Sequence, residues 1–267
     1  MDSPYKIASA EPQILPVGTG RDAREIPFIA QRPAKSGGPG LFWLSGFMSE
    51  MSSTKATAVA QWAAEHGLSS TRFDYSGHGI SADRIEDGTI GRWLEEATAI
   101  FSEVTEGPQI VIGSSMGGHI ALLLLRKLLR ERPDEAARIK ALVLIAPAWD
   151  MTEELMWKRF PEETRSEIME RGFFQQPSAY AAPYTITRRL IEDGREHLFA
   201  RRPFNPGRPV VILQGLLDVD VPASHTRELT TFLTGDNVKL IEVADAEHRL
   251  SRPQDLDLLF AEIGKLL

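Results

Sequence analysis

Residues 110–125 read IVIGSSMGGHIALLLL. An apolar run of strand length stops at two serines. Gly113, Gly117 and Gly118 crowd around them, and His119 opens a second apolar run of helical length. Gly113-Ser114-Ser115-Met116-Gly117 fits the pattern G-x-S-x-G with Ser115 at its centre. Ser114 lacks glycines two residues away on both sides, so the pattern singles out Ser115. The context is strand (QIVIG), turn, helix (MGGHIALLLL), the context a nucleophile elbow requires. Such a turn holds its central residue at positive φ, and only small neighbours fit beside it. The helix that follows offers free N–H groups and a positive dipole end to an oxyanion.

A serine hydroxyl needs a base, and the base needs an orienting carboxylate. With this strand–serine–helix order the acid and then the histidine follow the serine along the chain. The six histidines are His66, His78, His119, His197, His225 and His248. His248 lies in VADAEHRLS, a predicted loop between the last strand and the last helix, at the sheet end where Ser115 emerges. It is the expected base. His225 starts a predicted helix, where a capping or surface role suffices. For the acid, GLLDVDVPASHT follows the predicted strand PVVILQG and offers Asp218 and Asp220, while Asp245 shares a loop with His248. Asp218 comes first after the turn and is preferred, although spacing alone leaves all three open. The expected oxyanion donors are the backbone N–H groups of Met116 and of Phe47, in the loop after LFWLSG. Ser45, Gly46 and Met48 share that loop.

Farther out, short apolar runs alternate with helical patterns. IPFIAQR, LFWLSG, STRFDYSG, PQIVIGS, IKALVLIAP, RPVVILQG and VKLIEVA read as strands. TKATAVAQWAAEHG, TIGRWLEEATAIFSEVTEG, SHTRELTTFLT and PQDLDLLFAEIGKLL read as helices. This order predicts an α/β fold, a mostly parallel sheet with helices on both faces. About sixty residues after Pro147 break the alternation, too many for a structureless loop in a compact domain. DMTEELMWKRF, PEETRSEIMERG and YTITRRLIEDGREHLF within them read as helical. The expected organisation is a core of residues 1–147 and 207–267 with a helical cap insertion at 148–206.

The chain has 267 residues, 42% of them hydrophobic and 25% charged, a globular composition. The net charge of −7 and the lack of a Lys/Arg block argue against nucleic acid as a partner. There is no cysteine, so disulfides, thiolate metal sites and a cysteine nucleophile are excluded. No phosphate-binding G-x-x-x-x-G-K-[ST] and no zinc-binding H-E-x-x-H occurs. Neither a metal nor an organic cofactor is expected. The opening MDSPYKIASAEPQ has neither a signal-peptide nor a transit-peptide pattern, and no apolar run is long enough to span a bilayer. A cytoplasmic protein without a membrane span is expected.

Taken together, SGF, FDYSGHGIS, GSSMGG, DVDVP and EHRLS, in this order across residues 40–260, resemble the α/β-hydrolase superfamily. More narrowly, FDYSG.G.S, GP.I..GSSMGG and the HR after the last strand look like the palmitoyl-protein thioesterase and acyl-glucuronide esterase family, whose vertebrate members are mitochondrial. The resemblance implies the α/β-hydrolase fold and a bacterial relative of that family. It also implies hydrolysis of palmitoyl-cysteine thioesters or acyl glucuronides, with an acylated protein or a small ester as substrate. It places the nucleophile on Ser115, the acid on Asp218 and the base on His248. In FDYSGHGIS, Asp74 is expected to bind backbone N–H groups and His78 to be structural. Trp43 is expected in the core, with Trp149, Met156 and Trp157 as pocket or lid residues. A non-catalytic small-ligand binder on the same fold, or an acyl transferase or perhydrolase, is the alternative.

Overall fold

The computed structural model describes residues 11–34, 37–177 and 183–267. The first ten residues and part of the turn-rich stretch PAKSGGPG lie outside them. The strands are β1 Gln13–Val17, β2 Arg24–Gln31, β3 Gly40–Leu44, β4 Ser70–Phe73, β5 Gln109–Ser114, β6 Ile139–Ile145, β7 Phe173–Gln176, β8 Tyr184–Thr187, β9 Val210–Gly215 and β10 Val238–Val243. The helices are α1 Thr54–Glu65, α2 Ile90–Glu103, α3 Met116–Glu131, α4 Pro133–Ala136, α5 Glu162–Arg171, α6 Arg188–Glu196, α7 Ala223–Phe232 and α8 Pro253–Gly264.

Eight strands form one sheet in the order β1-β2-β4-β3-β5-β6-β9-β10. β1 and β2 pair antiparallel, as do β2 and β4, and every pair from β4 to β10 is parallel. Both faces are covered, so the central strands are apolar along their whole length rather than alternating. In β3, Phe42 and Leu44 pack with α2 and α3, while Leu41 and Trp43 pack with α1 and α8. β5 divides in the same way, with Val111 on one side and Ile110 and Ile112 on the other. Trp43 is a core residue, as expected, and its indole N–H donates to Ser45 Oγ at 3.0 Å.

Between β6 and β9 the structure departs from the helical expectation. A single π-helical turn, Thr152–Met156, and a 3-10 turn, Trp157–Arg159, precede α5. β7 and β8 then pair antiparallel, so YTIT is strand and the helix begins only at Arg188. The N-cap of α6 fixes that boundary, because the Thr187 hydroxyl accepts the N–H of Leu190 at 3.0 Å. This segment has a small apolar cluster of its own around Ile168, Ile186 and Ile191, joined by Phe47 from the core.

The segment is tied down unevenly. At its start and end, buried Asp150 accepts the N–H groups of Phe199 and Ala200 at 2.7 and 2.9 Å. Asp193 on α6 accepts the N–H of Gly91 at 2.8 Å, and Arg126 on α3 donates to the carbonyls of His197 and Leu198. The β7–β8 hairpin touches the core through Tyr184, whose ring meets that of Phe47 edge-on at 5.8 Å.

Two sequence expectations are corrected here. Trp149 is fully buried, and its ring stacks 4.4 Å from that of His225. Trp149 Nε1 donates to the His225 carbonyl at 2.8 Å, and His225 Nε2 lies 2.9 Å from the Trp149 carbonyl. Trp149 is therefore packing rather than pocket wall, and His225 is neither a surface residue nor a cap. Burial pushes the His225 imidazole down to about 4, so it is neutral at pH 7.

Candidate active site

The parallel strands bring their carboxyl ends to one edge of the sheet, where open α/β sheets carry their ligand sites. The loops after β3, β5, β9 and β10 converge there. Ser115, between β5 and α3, has φ 54° and ψ −117°, a conformation costly for any residue with a Cβ. Three contacts hold it. Its N–H donates to the Ile145 carbonyl at 2.8 Å, and its own carbonyl accepts from Gly118 at 2.9 Å and from Ala148 at 3.1 Å.

The glycines around it leave no room for a methyl group. A Cβ on Gly113 would lie 2.3 Å from the Gly117 carbonyl oxygen, and one on Gly117 would lie 2.0 Å from that of Leu44. A Cβ on Gly118 would meet Pro147 at 2.8 Å. The crowding of small residues in the sequence is thus the imprint of three backbone segments packed against one turn.

His248 joins the two other expected residues. Its Nδ1 lies 2.7 Å from Asp218 Oδ2 and its Nε2 3.1 Å from Ser115 Oγ. A carboxylate only accepts, so the proton sits on Nδ1 and Nε2 is left to accept the serine hydroxyl. The Asp218 side chain is fully buried. Its Oδ1 accepts the N–H groups of Asp220 and Val221 at 2.9 and 2.8 Å, which fixes the carboxylate plane. Gln214 sits beneath it with no exposure, donating through Nε2 to the carbonyls of Gly215 and Val221 and more distantly to Asp218 Oδ2.

Asp220 borders this arrangement, and Asp245 is engaged elsewhere. Asp220 contributes a backbone N–H to Asp218 and a carbonyl to Arg159, while Asp245 pairs with Arg252. Asp218, Asp220 and His248 bring ligand-type atoms within 4.8 Å of one another. The near lone pairs of Asp218 are already committed to two amides and an imidazole, so the hydrogen-bonded relay accounts for the cluster.

Met116 is the first residue of α3, so its N–H belongs to the free end of that helix. Phe47 follows Gly46, where a Cβ would come within 3.3 Å of Ser115 Cβ, so its loop borders the serine directly. Asp74 steadies that loop, accepting the N–H groups of Met51 at 2.6 Å and Ile80 at 3.0 Å, as expected of a structural aspartate. His78 is buried beside the Phe47 ring, with Nδ1 3.1 Å from the Ser76 carbonyl, and burial pushes it down to about 4. Below it, fully buried Glu96 accepts the Ser76 N–H and hydroxyl at 3.0 and 2.6 Å and Arg24 Nε at 2.5 Å.

Gln214 and Arg24 carry no role in the sequence pattern, and Glu96, in WLEEA, reads as one of a carboxylate pair on a solvated helix face, which its full burial corrects. A glutamine inside the apolar run VVILQG is the one signal that pointed to any of them.

The serine aminopeptidase S33 family, a hydrolase family, matches residues 41–191. The chain belongs to that family. This hydrolase is 31% identical over 251 residues to the mitochondrial palmitoyl-protein thioesterase ABHD10 of Bos taurus, covering 91% of this chain and 78% of that protein. A crystal structure from Agrobacterium vitis S4 superposes with a TM-score of 0.92 at 42% identity, covering 96% of this chain and 98% of that one. The structure of mouse alpha/beta hydrolase domain-containing protein 10 superposes with a TM-score of 0.82 at 28% identity, with the same coverage. The α/β-hydrolase fold expected from the sequence is the fold of this hydrolase. Among its described residues no helix is long and apolar enough to cross a membrane.

Proposed function

We propose that this hydrolase cleaves carboxylic ester or thioester bonds through an acyl-enzyme on Ser115. The observation that carries the reading is His248 bridging Asp218 and a serine held at positive φ. In this scheme His248 Nε2 takes the hydroxyl proton as Ser115 Oγ attacks the acyl carbon. Asp218 holds the imidazole in the productive tautomer and stabilises its cation. The N–H groups of Met116 and Phe47 receive the developing oxyanion. The tetrahedral intermediate collapses, and the alcohol or thiol leaves with the proton from His248. Water, deprotonated by the same imidazole, then releases the acid and restores Ser115.

The likeness to the thioesterase supports an acyl thioester or ester, including an acylated protein, as substrate. In the same reading residues 148–206 form a cap over the site, supported by the Tyr184–Phe47 contact beside Ser115. In the same reading the protein is cytoplasmic, and the 42% likeness to the Agrobacterium protein supports a bacterial source.

The test is a rate profile across p-nitrophenyl esters from acetyl to palmitoyl, followed by acyl-cysteine peptides, with Ser115→Ala as the blank. Turnover that survives in Ser115→Ala removes the proposal. Fluorophosphonate labelling of Ser115 separates it from a pure binder of apolar ligands.

A further inference from the structure

The turn that carries His248 is held by a side chain from a distant part of the chain. Lys55 is the second residue of α1, the helix that begins where the loop bearing Phe47 ends. Its Nζ donates a hydrogen bond to the carbonyl of Arg249, the residue next to His248. The turn needs such a hold. Leu250 has φ 40°, the left-handed region that a branched side chain rarely adopts, and its N–H closes back on Glu247 at 3.3 Å. The flanks of the turn are fixed by other contacts. Leu217 N–H donates to the Ala246 carbonyl at 3.0 Å, and Arg252 grips Asp245 on one side and Asp255 on the other.

We propose that Lys55 is a positioning residue of the site, a strap that fixes the His248 turn against the helix following the Phe47 loop. The inference rests on the Ser115–His248–Asp218 reading above. Base and oxyanion donor come from loops far apart in sequence, and the strap keeps their separation constant while Ser115 sits between them. Displacing a reacting group by about 1 Å costs up to roughly a hundredfold in rate, so a side chain outside the relay can govern turnover.

The charged groups facing Lys55 are the Arg249 guanidinium on the base turn, Asp255 on α8 and Asp218 behind His248. Burial, with Arg249 beside it, brings the ammonium down to about 8 against the pull of the two carboxylates. The strap therefore loses its charge in an accessible range, and the neutral amine is the weaker donor.

The experiment compares Lys55→Met and Lys55→Arg with the wild type on p-nitrophenyl butyrate across pH 6 to 10. Fluorophosphonate labelling and thermal unfolding are followed alongside. Lys55→Met is expected to lose about tenfold in kcat with KM within about twofold. Lys55→Arg restores most of kcat, and its activity stays level where the wild type declines above about pH 8. A folded Lys55→Met with wild-type kcat overturns the strap, as does a Lys55→Arg no better than Lys55→Met. Should Lys55→Met fail to fold, an alkaline limb unchanged in Lys55→Arg overturns it. A wild type that neither labels nor turns over removes the reading of the site and the strap with it. A labelled wild type with an indifferent Lys55→Met removes the strap alone.

Discussion

The turn at residues 113–118 and the segment at 148–206 are neighbours in space and opposites in construction. At the turn, β3, β5 and the exit of β6 meet with no space for a Cβ at three glycines, and every backbone contact of Ser115 is fixed. The segment beyond β6 is anchored at its two ends through Asp150 and at α6 through Asp193. Its hairpin leans on the core through an aromatic edge contact. Where backbone packs against backbone, residue choice is forced and shows in the sequence. Where side chains pack on side chains, many sequences serve, and little shows.

The sharpest way to break this contrast is Ser115→Ala. The change is expected to remove turnover by on the order of a million-fold while stability moves within about 0.5 kcal/mol. Ester hydrolysis and a denaturant titration measure the two. A large stability loss would mean that the serine hydroxyl also serves the fold.

Next in size is a matched pair of glycines. Gly117→Ala drives a methyl to 2.0 Å from a backbone oxygen that cannot retreat, and should cost about 3 kcal/mol and abolish fluorophosphonate labelling. Gly172→Ala, beyond α5, has φ 87° and open space around it. It should cost about 1–2 kcal/mol, the price of the left-handed conformation alone, with labelling intact. Equal losses from the two would erase the distinction between the regions.

His119 sits on the seam, on α3 just beyond Ser115, and its Nδ1 accepts the N–H of Asp150 at 3.3 Å. Burial, with Arg126, His197 and His225 nearby, brings it down to about 3. The unfolded chain takes up this proton near pH 6.5, the folded chain only near 3. Stability from the neutral imidazole is thus complete above about pH 6.5 and declines as pH falls, by about 1.4 kcal/mol per unit for one proton. His119→Asn keeps an acceptor for Asp150 without titrating. Its stability should fall less steeply than that of the wild type between pH 6.5 and 4. Identical slopes would show that His119 charges readily in the folded state.

The smallest effect is expected from Tyr184→Ala. Losing one edge contact on the hairpin should cost about 1 kcal/mol or less. KM for long-chain esters should change more than kcat. A collapse in stability would mean that the hairpin is built into the core as firmly as α6.

Legibility followed the same division. Ser115 and His248 stand out in the sequence because each lies just beyond a strand, in a loop where a polar residue needs a reason, whereas spacing alone leaves Asp218, Asp220 and Asp245 open as the acid. β1, QILPV, leaves no strand signature, because five residues with a proline carry little periodicity. The hairpin is hidden in the sequence because YTIT runs straight into RRLIEDGRE, and the helical rhythm of the second masks the alternation of the first. His225, at the start of a predicted helix, reads as a surface or capping residue. Its burial depends on Trp149, 76 residues away. The link between Lys55 and Arg249 spans 194 residues and leaves no local trace at all.

The stacked pair at the seam has an optical consequence. Trp149 lies between the imidazole of His225, 4.4 Å away, and the guanidinium of Arg201, 5.3 Å from its ring centre. It stands where the chain leaves β6 for the outer segment. A protonated imidazole quenches indole emission far better than a neutral one, and His225 stays neutral down to about pH 4. At working pH the imidazole stacked on this indole is therefore uncharged. Trp149 thus marks the point where the closely packed turn hands over to the outer segment.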